Sequence, residues 1–463
     1  MNDTRETLMF AAERAIEFLE GLDRRPVGAI ADGDELRARF EQRLPDAGAG
    51  ARRAVERLVA AVDGGLLGMP SGRFFAWVIG GALPSALAAD WLTSAWGQNA
   101  AMFASSPAAS IAEDVAGAWL KELLLLPSTA SFAFVTGCQM AHVTCLAAAR
   151  NALLRARGWD VETRGLSGAP HVAIVSSDRR HASLEKAVRL LGFGTDSVHY
   201  VEPTEREVLA PEALDAALRG IDGPAIVALQ AGDINTGAFD DFRTVVPIAK
   251  KYGAWVHVDG AFGLWAAASP RHRHLVDGIE LADSWATDGH KYLSVPFDCG
   301  YAFVRDAAAH RAAMSVSAPY IAADASRRDE IDWNPEWSRR ARGFATYAAL
   351  VELGRAGVAD LVVRTCRYAN EIVTALGALP ETEVLWQPIL NQGLVRFVDD
   401  RRTEATIERV VASGEAFFAP TTWRGMRAMR VSVLNWRTTQ ADVRRAVAAV
   451  AAALEREAVE VRA

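Results

Sequence analysis

Cysteine is scarce in this sequence and carries no pattern. Four thiols, Cys138, Cys145, Cys299 and Cys366, fall among 463 residues without a CxxC pair or zinc-ligand spacing. No metal site is therefore expected, and reduced thiols in a cytoplasmic protein are the simplest reading. Long hydrophobic runs are missing too. No uninterrupted apolar stretch reaches the roughly 20 residues of a membrane span, so no membrane association is expected. The opening stretch MNDTRETLMFAAERAIEFLEG is acidic and helical in pattern. It lacks a basic segment followed by an apolar one, and does not read as a signal peptide. An excess of positive charge is also absent: the net charge of −7 argues against a nucleic-acid-binding surface. No internal repeat is visible.

What remains is an ordinary globular composition, 51% hydrophobic and 23% charged, in a chain long enough for a large core. Residues 1–25, 34–44 and 51–62 read as helices, a surface appendage or an arm around a partner subunit. The stretch from Ser71 to Ala100 is dense in aromatics (Phe74, Phe75, Trp77, Trp91, Trp96). Each ring singly reads as core, and its glycines and Pro84 leave room for some to line a cavity. From residue 131 apolar strands and helices alternate. Strands are expected at 131–135, 171–176, 225–230, 255–258 and 301–304, without clean period-2 alternation, as in strands covered on both faces. This predicts an α/β fold with a mostly parallel sheet wrapped by helices. Residues 316–340 are polar and poorly periodic, a lid, a binding loop or disorder. Strands at 394–398 and 429–434 and a closing helix at 439–457 suggest a smaller α+β domain. The expected division is an N-terminal helical segment over 1–100, a large domain over 101–345 and a small C-terminal domain over 346–463.

Two segments carry chemistry. The run Ala254-Trp255-Val256-His257-Val258-Asp259 ends an apolar strand in an acid. The run Asp283 to Leu293 holds Lys291 after Gly289 and His290. A lysine near the end of a buried strand can lose its proton and attack a carbonyl. An aspartate at a neighbouring strand end can keep a pyridine nitrogen protonated. These are the two protein groups that pyridoxal phosphate needs most. A third segment, strand 131–135, the turn Thr136-Gly137-Cys138-Gln139 and a helix, sets free N–H groups at a helix N-terminus, an anion site. Gly137, His181, Asp259 and Lys291 all fall at or after expected strand ends, where ligands sit in such sheets. Taken alone, His181 reads as a cap at the start of a helix, and Cys138 and Gln139 as a plain turn.

Together these segments resemble the group II pyridoxal-phosphate-dependent amino-acid decarboxylases, the aromatic-L-amino-acid decarboxylase-like family. The resemblance rests on FASSPAAS, VTGCQMAH, RRHASLEKA, HVDGAFG, DSWATDGHKYLSVPFDCG and WNPEWSRRARGF, six segments in the family's order. It implies the fold type I architecture of pyridoxal-phosphate enzymes: a seven-stranded-type, mostly parallel sheet with helices on both faces, plus a small C-terminal α+β domain. It also implies a homodimer with shared active sites. By position, Lys291 would form the Schiff base, Asp259 would pair with the pyridinium nitrogen, His181 would stack on one ring face and Ala261 would pack on the other. Gly137, Cys138 and Gln139 would make the phosphate turn, His290 would flank the lysine, and Asp288 would lie near the phosphate. His142 occupies a slot where the family often has asparagine.

The implied activity is decarboxylation of an L-amino acid. Phe74, Phe75, Trp77, Phe103 and Tyr320 suggest a pocket for an aromatic or bulky side chain. The chain departs from the pattern in one respect. The family's aromatic decarboxylases carry a tyrosine shortly before the tryptophan matched by Trp333. Here that stretch is Asp329-Glu330-Ile331-Asp332. Another reaction on the same scaffold, giving an aldehyde, cleaving an aldol-type bond or transaminating, is the alternative expectation.

Overall fold

A computed structural model describes residues 2–41, 43–316 and 327–460. Its larger sheet has seven strands: β1 (Ser131–Val135), β2 (Ala173–Ser177), β3 (Val198–Val201), β4 (Ala225–Gln230), β5 (Trp255–Asp259), β6 (Ser284–Asp288) and β7 (Gly300–Val304), in the order β1-β7-β6-β5-β4-β2-β3. From β3 across to β6 all pairings are parallel. β7 runs antiparallel to both of its neighbours. All the central strands are buried along their whole length, which is why their sequences are apolar without alternation. A smaller sheet takes β8 (Thr382–Trp386), β9 (Gln392–Phe397), β10 (Ala419–Trp423) and β11 (Met426–Ser432), in the order β10-β11-β9-β8. The expected α/β class is what the structure has. Strands β3, β6, β8 and β10 lie outside the expected strands, being short, polar or interrupted.

The chain forms two compact units rather than three segments. One comprises residues 1–79, 368–387 and 394–463; the other comprises 80–367 and 388–393. The expected boundary at 100 moves to 79 because the N-terminal segment packs with the C-terminal one. Buried Arg73 makes the tie, donating to the carbonyls of Leu22, Asp23, Arg25, Gly414 and Glu415. Five acceptors satisfy a guanidinium that would otherwise be costly to bury. The boundary expected at 345 falls inside the helical stretch Arg342–Gly377, which departs from helical geometry only at Gly354.

Some of the helices begin at a side-chain cap, and others do not. Asp306 caps Ala307–Met314 and Asp399 caps Asp400–Ser413, each through its carboxylate. The 18-residue helix Cys138–Arg155 is different: Gly137 precedes it at φ 102° and provides no side-chain cap. A Cβ at Gly300 would sit 2.4 Å from the Gly137 carbonyl carbon, so the turn after β1 lies directly on the start of β7. That close approach holds this helix N-terminus at the carboxyl end of the sheet. No described helix is long and apolar enough to cross a membrane.

Candidate active site

The carboxyl ends of β4, β5 and β6, the turn after β1 and the loop after β2 surround a cavity of about 240 Å³ in the second unit. Gly137, Cys138, Gln139, His181, Asp259, Ala261, Asp288, His290 and Lys291 all line it. Every cofactor-binding position expected from sequence therefore borders one space. A larger cavity of about 560 Å³ lies in the first unit among Pro26, Trp77, Ile407, Val411 and Phe417. Reactive groups converge on the smaller one, and convergence rather than volume marks a chemical site.

The Lys291 amine lies 2.9 Å from Asp288 Oδ2. Burial works against its ammonium form. The carboxylate of Asp288 leads the opposing attractions that outweigh burial, so the pKa is raised. Asp288 is also reached at Oδ1 by the Cys138 N–H, at 2.6 Å, so this carboxylate caps the helix that Gly137 leaves open. His290 Nε2 lies 3.6 Å from the same oxygen, and its Nδ1 accepts from the Cys299 N–H at 3.3 Å. Burial pushes the His290 imidazole pKa down.

Asp259 ends β5 and is 8% exposed. Burial alone would raise its pKa. The facing His142, then His181 and Lys291, override burial and hold it below the ordinary carboxylate range. Its Oδ1 accepts from the Ala261 N–H at 3.1 Å. His142 Nε2 stands 3.4 Å from Oδ2. Cys138 Sγ lies 3.8 Å from Oδ1, and burial pushes that thiol's pKa up.

His181 caps the helix Ala182–Leu190, accepting at Nδ1 from the Ser183 N–H, and borders the cavity as well. The two sequence readings of this residue are compatible. Gln139 Nε2 is shielded from solvent and has no hydrogen-bond partner. Gln230, Gly232, Ile234 and Phe262 complete much of the wall. Sequence reasoning did not single them out, although Gln230 ends an expected strand.

The aromatic positions separate. Phe74 and Phe75 are packed away in the first unit, stacked on Phe417 and Phe418 with centroids 4.9 and 5.2 Å apart. They fill core rather than bordering a cavity. Trp77 borders the first unit's cavity. Phe103 is in the second unit, with its N–H on Asp329 and the Arg327 guanidinium 4.9 Å from its ring centroid. It does not line the smaller cavity. Tyr320 lies outside the described residues. Glu330 is 1% exposed and paired with Arg328 at 2.8 Å, in a buried cluster with Arg339 and Glu113.

A doubly wound α/β fold with a lysine and an aspartate at its strand ends describes a cofactor-dependent enzyme that handles amines and carbonyls. Residues 35–398 match the family model described as the pyridoxal-dependent decarboxylase conserved domain. The chain belongs to that family and is a pyridoxal-phosphate-dependent carboxy-lyase of fold type I. It is 24% identical to phenylacetaldehyde synthase of Petunia hybrida over 457 residues, covering 90% of this chain and 87% of that one. It is 24% identical to aromatic-L-amino-acid decarboxylase of Bacillus atrophaeus over 450 residues, covering 94% and 92%. Its fold matches a crystal structure of Oryza sativa TDC with PLP and tryptamine at TM-score 0.92 and 24% identity, covering 98% of each chain.

Proposed function

We propose that this carboxy-lyase removes the carboxylate of an L-amino acid with an aromatic or bulky side chain, working as a cytoplasmic homodimer. The observation that carries the proposed site is that Lys291 and Asp259 open into one cavity whose wall includes the unpartnered amide of Gln139. The cavity residues fit pyridoxal phosphate. A helix N-terminus whose preceding glycine offers no side chain, and a buried amide without an acceptor, suit a phosphate. A carboxylate held ionised by its neighbours suits a protonated pyridine nitrogen. Gly137, Cys138 and Gln139 would hold the phosphate end, Asp259 the ring nitrogen, His181 and Ala261 the ring faces, and Lys291 the aldehyde end. When bound, the cofactor supplies an aldehyde for an amine to attach to and a ring that withdraws electrons from the substrate Cα.

The chain's own groups do the rest. Lys291 Nζ, 2.9 Å from Asp288 Oδ2, is held in place as an ammonium by that carboxylate, and it must shed a proton before it can attack a carbonyl. With that proton returned, the same nitrogen is a donor available to Cα after carbon dioxide leaves. Asp259 stays ionised throughout and keeps the nitrogen-bound proton in place. His290 is held by the Cys299 N–H and flanks the lysine.

A second reading rests on residues 329–332. Their Asp-Glu-Ile-Asp sequence offers no phenol, and Glu330 is turned into a buried charged cluster. Without a phenol to supply the proton, dioxygen would instead react at the substrate Cα once carbon dioxide has left, and with water the products would be aldehyde, ammonia and hydrogen peroxide. Incubation with a panel of amino acids, scoring carbon dioxide, amine, ammonia, peroxide and aldehyde separately, decides between them. Amine and carbon dioxide without peroxide support decarboxylation. Peroxide with aldehyde moves the reading to the second reaction, and no carbon dioxide from any substrate refutes both.

A further inference from the structure

Behind Asp259 lies a row of polar groups that no step above uses. His142 Nδ1 is 2.9 Å from His257 Nε2, His257 Nδ1 is 2.9 Å from Ser284 Oγ, and Ser284 Oγ is 2.9 Å from Trp255 Nε1. His142, His257 and Ser284 have no exposure to solvent, and Trp255 is 7% exposed. With His142 Nε2 beside Asp259 Oδ2, the row links a helix to β5 and β6 and ends at the cavity.

The direction of the row follows from its two ends. An indole nitrogen only donates, so Ser284 Oγ accepts from Trp255. An ionised carboxylate only accepts, so the proton between His142 and Asp259 rides on His142 Nε2. With both imidazoles neutral, His142 Nδ1 accepts from His257 Nε2–H, and His257 Nδ1 accepts from the Ser284 hydroxyl. Any other arrangement of two neutral rings sets a nitrogen lone pair against the carboxylate or sets the two facing ring nitrogens lone pair against lone pair. Burial, and then the facing His142, push the His257 imidazole down to about 3, consistent with a neutral ring in the middle of the row.

We propose that His142 is a positioning residue, and that the row Trp255 to Ser284 to His257 to His142 delivers one fixed N–H to Asp259 that keeps its carboxylate ionised and oriented toward the cofactor's ring nitrogen. The inference rests on the assignment of Asp259 to that nitrogen. The other titratable groups around Asp259 are Cys138 on the same helix as His142, Lys291 and His290 beside Asp288, and His181 after β2. Cys138 is kept a thiol by burial and adds no charge. Without His142, the buried carboxylate loses its side-chain donor, and burial moves its pKa upward. Cofactor carrying a ring proton then meets a protonated acid, and one proton must be expelled for it to bind.

Cofactor binding, rather than turnover, is the readout. Apoenzymes of the wild type, His142→Phe, His142→Gln, His257→Leu and Asp259→Ala are titrated with pyridoxal phosphate by visible absorbance from about pH 6 to pH 8, with thermal unfolding recorded for each. The wild-type dissociation constant is expected to vary least over this range. That of His142→Phe is expected to be about tenfold weaker at the acid end and to recover toward the alkaline end, the signature of a carboxylate that has become mostly protonated at the acid end of the range. His142→Gln keeps a donor amide and should restore most of the affinity and the wild-type profile. His257→Leu should shift in the same sense as His142→Phe, by less. A folded His142→Phe with wild-type binding and profile overturns the proposal. If that variant does not fold, a wild-type profile in His257→Leu overturns it instead. His142→Gln behaving like His142→Phe also overturns it, because a donor would then be beside the point. Asp259→Ala separates the two levels. If it binds cofactor like the wild type, the assignment of Asp259 itself fails; if it loses affinity while His142→Phe does not, only the role of His142 falls.

Discussion

Two buried clusters of charge in the second unit use similar side chains for different ends. Around the cavity, Asp259, Asp288, Lys291 and His290 are held by backbone N–H groups and by one another, and they border open space. Beneath residues 328–339, Glu113 and Arg339 form a two-pronged pair at 2.9 Å and 2.9 Å, and Glu330 meets Arg328 at 2.8 Å. Arg339 also donates to the carbonyls of Ala100 and Phe134. In the second cluster the charges answer each other, and none of these residues lines either cavity described above. Burial and opposite charge therefore do not by themselves mark a site. What distinguishes the first cluster is room for a ligand: its reactive groups border one cavity.

That contrast is open to direct attack. The largest effect is expected for Lys291→Ala: turnover should fall by about a thousandfold or more, with loss of the visible absorbance of the cofactor-loaded protein. Because the cavity is built for a ligand, thermal stability of the apoprotein should change little. Retention of the absorbance band would move the reactive amine elsewhere. Arg339→Met should show the reverse pattern. It leaves Glu113 buried without its partner and should lower the unfolding free energy by about 3–5 kcal/mol in a denaturant titration, while cofactor affinity of the folded protein holds. A small stability change with lost cofactor binding would make the second cluster functional.

The cavity's chemistry was largely legible in the sequence, and the second cluster was not. Asp259 and Gly137 follow apolar runs, so their place at strand ends follows from local pattern, whereas Lys291 follows Ser284–Asp288, a strand hidden by its polar residues. Residues 316–340 are charged and aperiodic and read as a lid, a binding loop or disorder, with nothing to mark Glu330 and Arg339, which are 1% and 5% exposed. Their partner Glu113 is 226 residues before Arg339, beyond the reach of any local pattern. The His142–His257 contact spans 115 residues and depends on how a helix crosses a strand. The unit boundaries were missed for the same reason, since Arg73 finds carbonyls 341 and 342 residues away. The aromatic run was ambiguous because a pocket and a core use the same rings.

One histidine from each region bears on acid stability. Burial is the leading cause that pushes both His257 and His310 down to about 3; the facing His142 adds to it at His257, and Arg328 adds to it at His310. A folded-state value below the unfolded one means that the unfolded chain takes up the proton first as pH falls. Stability should therefore decline from about pH 6.5 toward pH 3, by about 1.4 kcal/mol per pH unit for each ring. His310 is held between the Ser131 hydroxyl and the Trp333 carbonyl, both at 2.9 Å. His310→Gln should remove about half of this acid slope while leaving cofactor affinity unchanged, read from denaturant titrations across the range. An unchanged slope would mean that other groups carry the acid transition.

The smallest effect is expected at Glu330, and its sign separates an ion pair from a neutral acid. Arg328 at 2.8 Å argues for a carboxylate. Burial argues the other way and is the stronger influence, with Glu113 adding repulsion, so the acid is pushed up to about 8. Arg339 helps little because its guanidinium is committed to Glu113. For an acid raised in the fold, the stability it contributes is present below its ordinary value and lost as pH rises toward about 8. A glutamine resembles the protonated side chain, so Glu330→Gln should stay within about 1 kcal/mol of the wild type near pH 5. It should then gain on the wild type as pH rises, by up to about 1.4 kcal/mol per unit. An ionised Glu330 predicts the opposite: a loss of about 3 kcal/mol or more at every pH above the carboxylate range, from a stranded Arg328. The same geometry makes Glu330→Tyr, which the family's tyrosine would suggest, a substitution into a filled site. It should lower stability by about 1–3 kcal/mol without bringing a phenol to the cavity.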